Sequence, residues 1–223
     1  MTYTELVAAI ESYTQNYESD FVANIPTFVK QAETRIYNTV QIPALRKNVT
    51  GVLSSGNKYL SCPNDFLSVF SIAVIDSGNY EYLLNKDVNF IRAAYPSAND
   101  TGLPKYYALF GPTVVSSAVT DELSFILGPM PDANYDVELH YFYLPESITV
   151  APDGRTWLGD NYDPVLLYGS LVEAYIYMKG EAEMMAAYEK KYQDALAQLN
   201  RLGTGLERGD AYRDGQARIK VNP

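Results

Sequence analysis

One cysteine, one histidine and no long apolar run are all this chain offers to three large classes of protein, and each scarcity removes one of them. A lone Cys62 permits no internal disulfide and no multi-thiolate metal site, and it reads as a small buried apolar residue. Any histidine-dependent triad or polyhistidine metal site must use His140, which falls on the polar side of a strand pattern, the place of an ordinary surface residue. No stretch approaches the roughly 18 apolar residues that cross a bilayer, and the opening MTYTELVAAIESYTQ lacks the basic-then-apolar order of a secretory signal. Synthesis in the cytosol and no membrane partner are therefore expected. Gly-rich phosphate cradles of the P-loop or dinucleotide type are missing too. Cations are scarce, 17 Lys and Arg against 27 acids for a net charge of −10, which argues against a surface that wraps nucleic acid by its phosphates.

What is present describes a globular protein. The 223 residues are 47% hydrophobic and 20% charged, enough to bury one large core or one core with an insertion. The 20 tyrosines are the informative excess, because tyrosine combines a large contact area with a polar tip and suits extensive interfaces as well as cores. Asp153, Asp160 and Asp163 in PDGRTWLGDNYD do not have EF-hand spacing and read as turn and helix-cap residues. With so many acids, carboxylate pairs of the glycosidase kind arise by chance, and nothing marks two of them out. No enzyme activity is expected, and no catalytic, cofactor or metal residues are assigned.

Along the chain, Leu6, Ile10, Tyr13 and Tyr17 recur at helical spacing behind a capping box of Thr2 and Glu5. A second helix is expected from about Pro26, with Phe28, Val29, Ala32, Ile36 and Val40 as its stripe, ending before Pro43. From Leu45 to Val150 the pattern becomes five to seven short strands, with NKDVNFIRAAYP a short helix among them. YDVELHYFY places Tyr135, Val137, Leu139, Tyr141 and Tyr143 on one face and Asp136, Glu138 and His140 on the other. Asp163 and Pro164 read as cap and first position of a helix that is apolar nearly all round to Met178, so it must be covered on several sides. After a break at Gly180, Met185, Tyr188, Tyr192, Ala195, Leu199 and Leu202 form the seam of another helix. The predicted fold class is α+β: a four-helix bundle from residues 1–44 and 157–202, an inserted antiparallel β-sandwich or partial barrel over 45–156, and an extended C-terminal arm over 203–223. The last eleven residues carry three cations against one acid, +2, which leaves −12 for the rest.

The order of GLPKYYALFG, LGPMPDANYDVELHYFYLPE, WLGDNYDPVLLYGSLVEAYIYMKGEAEMMAAYEKKYQDALAQLN and a Gly- and Arg-bearing tail resembles the head-to-tail adaptor (connector) proteins of tailed bacteriophages. The likeness spans roughly Tyr59 to Arg218 and rests on order and spacing. It implies a virion protein of the head–tail junction, made in the host cytoplasm, that forms a homo-oligomeric ring, commonly of twelve copies. The ring would dock on the portal protein, continue the channel through which duplex DNA passes without specific binding, and offer a platform to the tail nozzle. It brings no catalytic residues and no cofactor. Matching positions of structural meaning are Pro104, Tyr106, Phe110, Pro131 and Tyr135, and on the apolar helix Asp163, Tyr168, Glu173 and Tyr175, which would pack within the bundle and against neighbouring subunits. The mixed basic and apolar tail reads as a portal-binding arm through Tyr212, Arg213, Arg218, Ile219, Lys220 and Val221. The alternative is a carbohydrate-binding β-sandwich or tail-fibre component that stacks sugars on its tyrosines.

Overall fold

Six α-helices and ten strands make up the described part of a computed structural model, which covers residues 1–115, 118–121 and 123–208, with the backbone alone at 113–115, 118–121 and 206–208. The class is mixed α and β. Contacts divide the chain into two compact units, Met1–Leu45 with Pro145–Pro223, and Arg46–Leu144.

In the first unit, α1 (Tyr3–Thr14) starts on the expected capping box: Thr2 Oγ1 accepts from Glu5 N–H and Glu5 Oε2 accepts from Thr2 N–H. Leu6 and Ile10 are fully buried, but the helix ends before Tyr17. Helix α2 (Ser19–Thr39) begins seven residues before Pro26, so that proline lies inside the helix rather than at its start. A mid-helix proline forfeits one backbone hydrogen bond and costs about 3 kcal/mol. Burial of Phe21 and Ile25 upstream, each worth roughly 1.5–3 kcal/mol, offsets the loss.

A short α4 (Trp157–Asn161) leads into α5 (Asp163–Tyr177), in which Asp163 is the first helical residue and Tyr162 the cap. Val165, Leu166, Leu167, Gly169, Ser170, Leu171, Val172 and Ala174 are all buried, because α1, α2, α4 and the last helix, α6 (Ala182–Arg208), each pack on α5. Its one inward hydroxyl is satisfied within the helix, Ser170 Oγ donating to the Leu166 carbonyl at 2.8 Å.

Helix α6 does not stop at Leu202. It continues to Arg208, so the arm expected to be extended from 203 is helical over its first six residues. The seam runs through Tyr192, Ala195, Leu196, Leu199 and then Gly203, leaving Leu202 exposed at 42%. Gly203 holds that place because it lies against Ile42, in the segment after α2: a Cβ there would meet Ile42 Cγ2 at 2.1 Å.

The second unit is built of open sheets. One has the order β1 (Arg46–Leu53), β10 (Tyr135–Tyr143), β3 (Phe66–Asp76), β4 (Asn79–Tyr82), antiparallel throughout. The other runs β2 (Tyr59–Ser61), β9 (Ser124–Gly128), β6 (Tyr106–Phe110), β5 (Leu84–Asn85), with β5 and β6 parallel. A two-stranded ribbon joins β7 (Thr113–Val115) to β8 (Ala118–Asp121). The ten strands exceed the five to seven expected, since several are only two to four residues long and too short to leave a period-2 signal. Alternation in β10 is as read, with Val137, Leu139 and Tyr141 buried. Those side chains share one core with Leu53, Ile72 and Val74 of their own sheet and Tyr107, Phe125 and Leu127 of the other. Helix α3 (Val88–Ala94), capped by Asp87, covers the opposite face of the second sheet through Ile91, against Ala108 and Ile126.

Two glycines in α6 test its continuation. Gly205→Ala, with open space at its Cβ, should stabilise the chain by about 0.5–1 kcal/mol. Gly203→Ala should destabilise it by about 1–3 kcal/mol through overpacking against buried Ile42, despite the same helix preference. Thermal melts of the two variants decide it; two alanines of equal effect would contradict the packing of α6 on Ile42.

Candidate assembly surfaces

The positions singled out on α5 all make contacts within their own unit. Tyr168 stacks on Tyr188 of α6 at 6.5 Å between ring centres, and Tyr175 lies 4.9 Å from the same ring. Burial, then a hydrogen bond with Tyr175, pushes the Tyr188 hydroxyl up to about 12. Glu173 accepts from Arg35 of α2 at 3.4 Å, while the other guanidinium nitrogen reaches both oxygens of Glu189 on α6, at 3.0 and 3.2 Å. The same guanidinium sits 4.5 Å above the Tyr192 ring. One arginine thus ties α2, α5 and α6 together, and its partial exposure makes the joint a matter of geometry more than of large energy. Asp163, half-buried in the first turn, puts its negative charge at the positive end of α5. The exposed residues of α5 are Ile176 and Tyr177 at its end, both about half exposed, while Asp163, Tyr168, Glu173 and Tyr175 are partly buried.

Glu33 of α2 is the buried charge of this unit, 3% exposed. Its Oε1 accepts from Ile148 N–H at 2.9 Å, which anchors the segment after β10 to the helix. Its Oε2 has no hydrogen-bond partner among the described residues. Burial pushes this carboxyl above the ordinary carboxylate range, against the opposing pull of the Ile148 N–H and the Lys30 charge.

In the strand unit, Asp65 joins three strands: it pairs with Lys47 of β1, accepts from the Tyr141 hydroxyl of β10 at 2.8 Å, and its carbonyl accepts from Leu144 N–H. Burial alone would raise this carboxyl; the hydrogen bonds from Lys47 and Tyr141 bring it below its usual value. The same unit holds a cavity of about 290 Å³ where the start of β2, helix α3 and the loop after it converge. Lys58, Tyr59, Arg92 and Tyr95 stand around it, and Ile126 and Met130 are among its apolar lining. Helix α3 approaches so closely because β9 ends in Gly128, where a Cβ would meet Tyr95 and Ile91 at 2.8 and 2.9 Å. Residue 58 is too far in the chain from 92 and 95 for any local pattern to join them, and sequence reasoning did not find this site.

Other sequence-level candidates take structural places. His140 lies on β10 with its ring 4.9 Å from Phe70, in a T-shaped contact. Cys62 packs half-buried against the strand core. Asp160 pairs with Arg155 at 2.9 Å, and Asp153 occupies a left-handed turn position at φ 58°. Among the described residues no group of three or more His, Cys, Asp or Glu is placed to hold a metal ion, and no helix is long and apolar enough to cross a membrane. Tyr212, Arg213, Arg218, Ile219, Lys220 and Val221, the expected arm, lie outside the described residues.

A helical unit locked around one central helix, and a strand unit that turns aromatic and cationic side chains outward, are the attributes of a scaffold that assembles with other proteins. The chain belongs to the SU10 adaptor protein family, which it matches over residues 1–219. That is a family of structural phage proteins, not of enzymes; its members belong to the virion and associate with other head and tail proteins. No curated protein matches the sequence closely enough to add to this assignment.

The buried Glu33 generates a pH test. A folded-state pKa above the unfolded one contributes stability below the ordinary carboxylate range, and that contribution is lost as pH rises through the folded value. Glu33→Gln keeps the acceptor for Ile148 and cannot ionise, so its melting temperature minus that of the native chain should grow as pH rises from 4.5 to 8. The growth should be roughly 2–4 °C for each kcal/mol in a chain of this size. A difference independent of pH would show that Glu33 carries no cost of buried charge.

Proposed function

We propose that this chain is the subunit of a head-to-tail adaptor ring of twelve copies that docks beneath the portal, continues the DNA channel and presents a platform to the tail nozzle. The observation that carries the reading is the family match, which extends over 1–219 of the 223 residues and so takes in both units and most of the tail. Charge supports it: a chain at −10, and at −12 without its last eleven residues, lets a phosphate backbone pass without adhesive contacts. On this reading the surface toward the channel is acidic and has negligible affinity for duplex DNA at physiological salt.

The fastening arm is the segment after α6. Arg213, Arg218 and Lys220 would pair with acidic portal groups, while Tyr212, Ile219 and Val221 fill small pockets. Because α6 extends to Arg208 and Gly203 packs on Ile42, the informative truncation falls after Arg208 rather than after Leu202.

Negative-stain images of the chain mixed with its portal protein should show one adaptor ring stacked coaxially on each portal. The chain cut after Arg208 should keep its melting temperature within about 2 °C, since both units are retained, and should fail to decorate portals. Undiminished docking of the truncated chain would move the fastening contact onto the helical unit. A stable two-fold dimer, with and without portal, would contradict the ring.

A further inference from the structure

The cavity at β2, α3 and β9 is built as a receptor. Its walls are pinned by backbone hydrogen bonds: Gly56 N–H to the Pro131 carbonyl at 2.9 Å, Leu127 N–H to the Lys58 carbonyl at 2.8 Å, and Met130 N–H to the Asp100 carbonyl at 3.1 Å. Asp100 is committed to this wall, its Oδ2 accepting from Ser97 N–H at 2.9 Å, so its carboxylate holds the loop in place. Lys58 and Arg92 are different. Neither forms an ion pair among the described residues, and each is steadied by a ring, Lys58 Nζ at 5.6 Å from the centre of Tyr59 and Arg92 Cζ at 5.3 Å from that of Phe110. Two cations without ion pairs stand beside an apolar floor against the one Asp100 carboxylate, and in a chain at −10 they are complementary to an acidic segment that carries one aromatic side chain. At about 290 Å³ the cavity is at the lower limit of ordinary ligand clefts, roughly 300–1,000 Å³, and suits a side chain better than a cofactor.

The helical unit displays such a segment. From the end of α1 into the start of α2 the chain reads Gln15-Asn16-Tyr17-Glu18-Ser19-Asp20, and Tyr17 is 65% exposed, the most exposed of the large apolar and aromatic residues among those described. Its presentation is set by the backbone: Gln15 takes a left-handed conformation at φ 50°, and Asn16 Oδ1 accepts from Glu18 N–H at 3.0 Å. Glu18 stands at the cap position of α2 without a capping hydrogen bond from its side chain, and Asp20 follows in the first turn, so two carboxylates follow Tyr17 within three residues. Among the described residues, none covers the greater part of Tyr17.

We propose that the cavity takes Tyr17 from a second copy of this chain, with Glu18 and Asp20 of that copy facing Lys58 and Arg92. Loop and cavity are different surfaces, so the contact is head-to-tail and leaves a pair with one free loop and one free cavity, the arrangement that closes into a ring or runs on as a filament. The inference rests on the adaptor-ring reading and names one contact between neighbouring subunits.

Disulfide trapping between two full-length variants tests it in a Cys62→Ala background, which removes the native cysteine. One variant carries Tyr17→Cys and the other Ala98→Cys, a position at the cavity. The mixture should form the mixed disulfide at least ~10-fold faster than either variant forms a homodimer, as a close charge pair contributes to a contact of this kind. Lys58→Glu with Arg92→Glu in the cavity variant should abolish the advantage, and Glu18→Lys with Asp20→Lys in the loop variant should restore it. Mixed disulfides no faster than homodimers, or a rate indifferent to charge reversal, overturn the contact. Melting curves of the charge-reversed chains, whose changes are at the surface, confirm that they fold. Rings on the portal without charge-dependent trapping would leave the adaptor reading standing and remove this contact; charge-dependent trapping without rings would do the reverse.

Discussion

Enclosure of α5 is the constraint on which the helical unit depends. A helix apolar on nearly every side cannot rest on one neighbour, and here α1, α2, α4 and α6 surround it. Two of those helices can come this close to α5 because Gly169 has no side chain: a Cβ there would meet Ala32 Cβ of α2 at 3.1 Å and the Tyr192 ring of α6 at 3.2 Å. At the rim of the same junction, Arg35 joins Glu173 and Glu189 over the Tyr192 ring. Apolar enclosure supplies the stability and the arginine supplies the register.

The buried run of α5 ends at Ala174, and outward-facing groups stand beyond it and elsewhere: the half-exposed Ile176 and Tyr177 at the end of α5, the exposed Tyr17, and the cationic cavity of the strand unit. Tyrosine is abundant in both roles, stacked inside as Tyr168, Tyr175 and Tyr188 are, or exposed as Tyr13 and Tyr17 are.

Elements governed by local chemistry were legible in the sequence. The Thr2–Glu5 capping box, the short helix α3 within NKDVNFIRAAYP and the alternation of β10 each depend on residues a few positions apart. Features decided by distant packing were not. Pro26 is a natural start signal, overridden by the burial of Phe21 and Ile25 before it; two glycines announce an end to α6, overridden at Gly203 by the need to pass close to Ile42. The all-round apolarity of α5 was plain, but which surfaces cover it was not, since that depends on Gly169 and Ala32 meeting across 137 positions of sequence. The cavity escaped notice for the same reason, its cations coming from β2 and α3.

Hydrogen–deuterium exchange on the dilute, unassembled chain tests the central claim most directly. If α5 is enclosed by its own chain, the amides of residues 169–174, beyond its first turn, should be among the slowest to exchange and should open only with global unfolding, in the absence of portal or any other protein. Rapid exchange over those residues that slows only when the ring is assembled would contradict the account and make the central helix an interface.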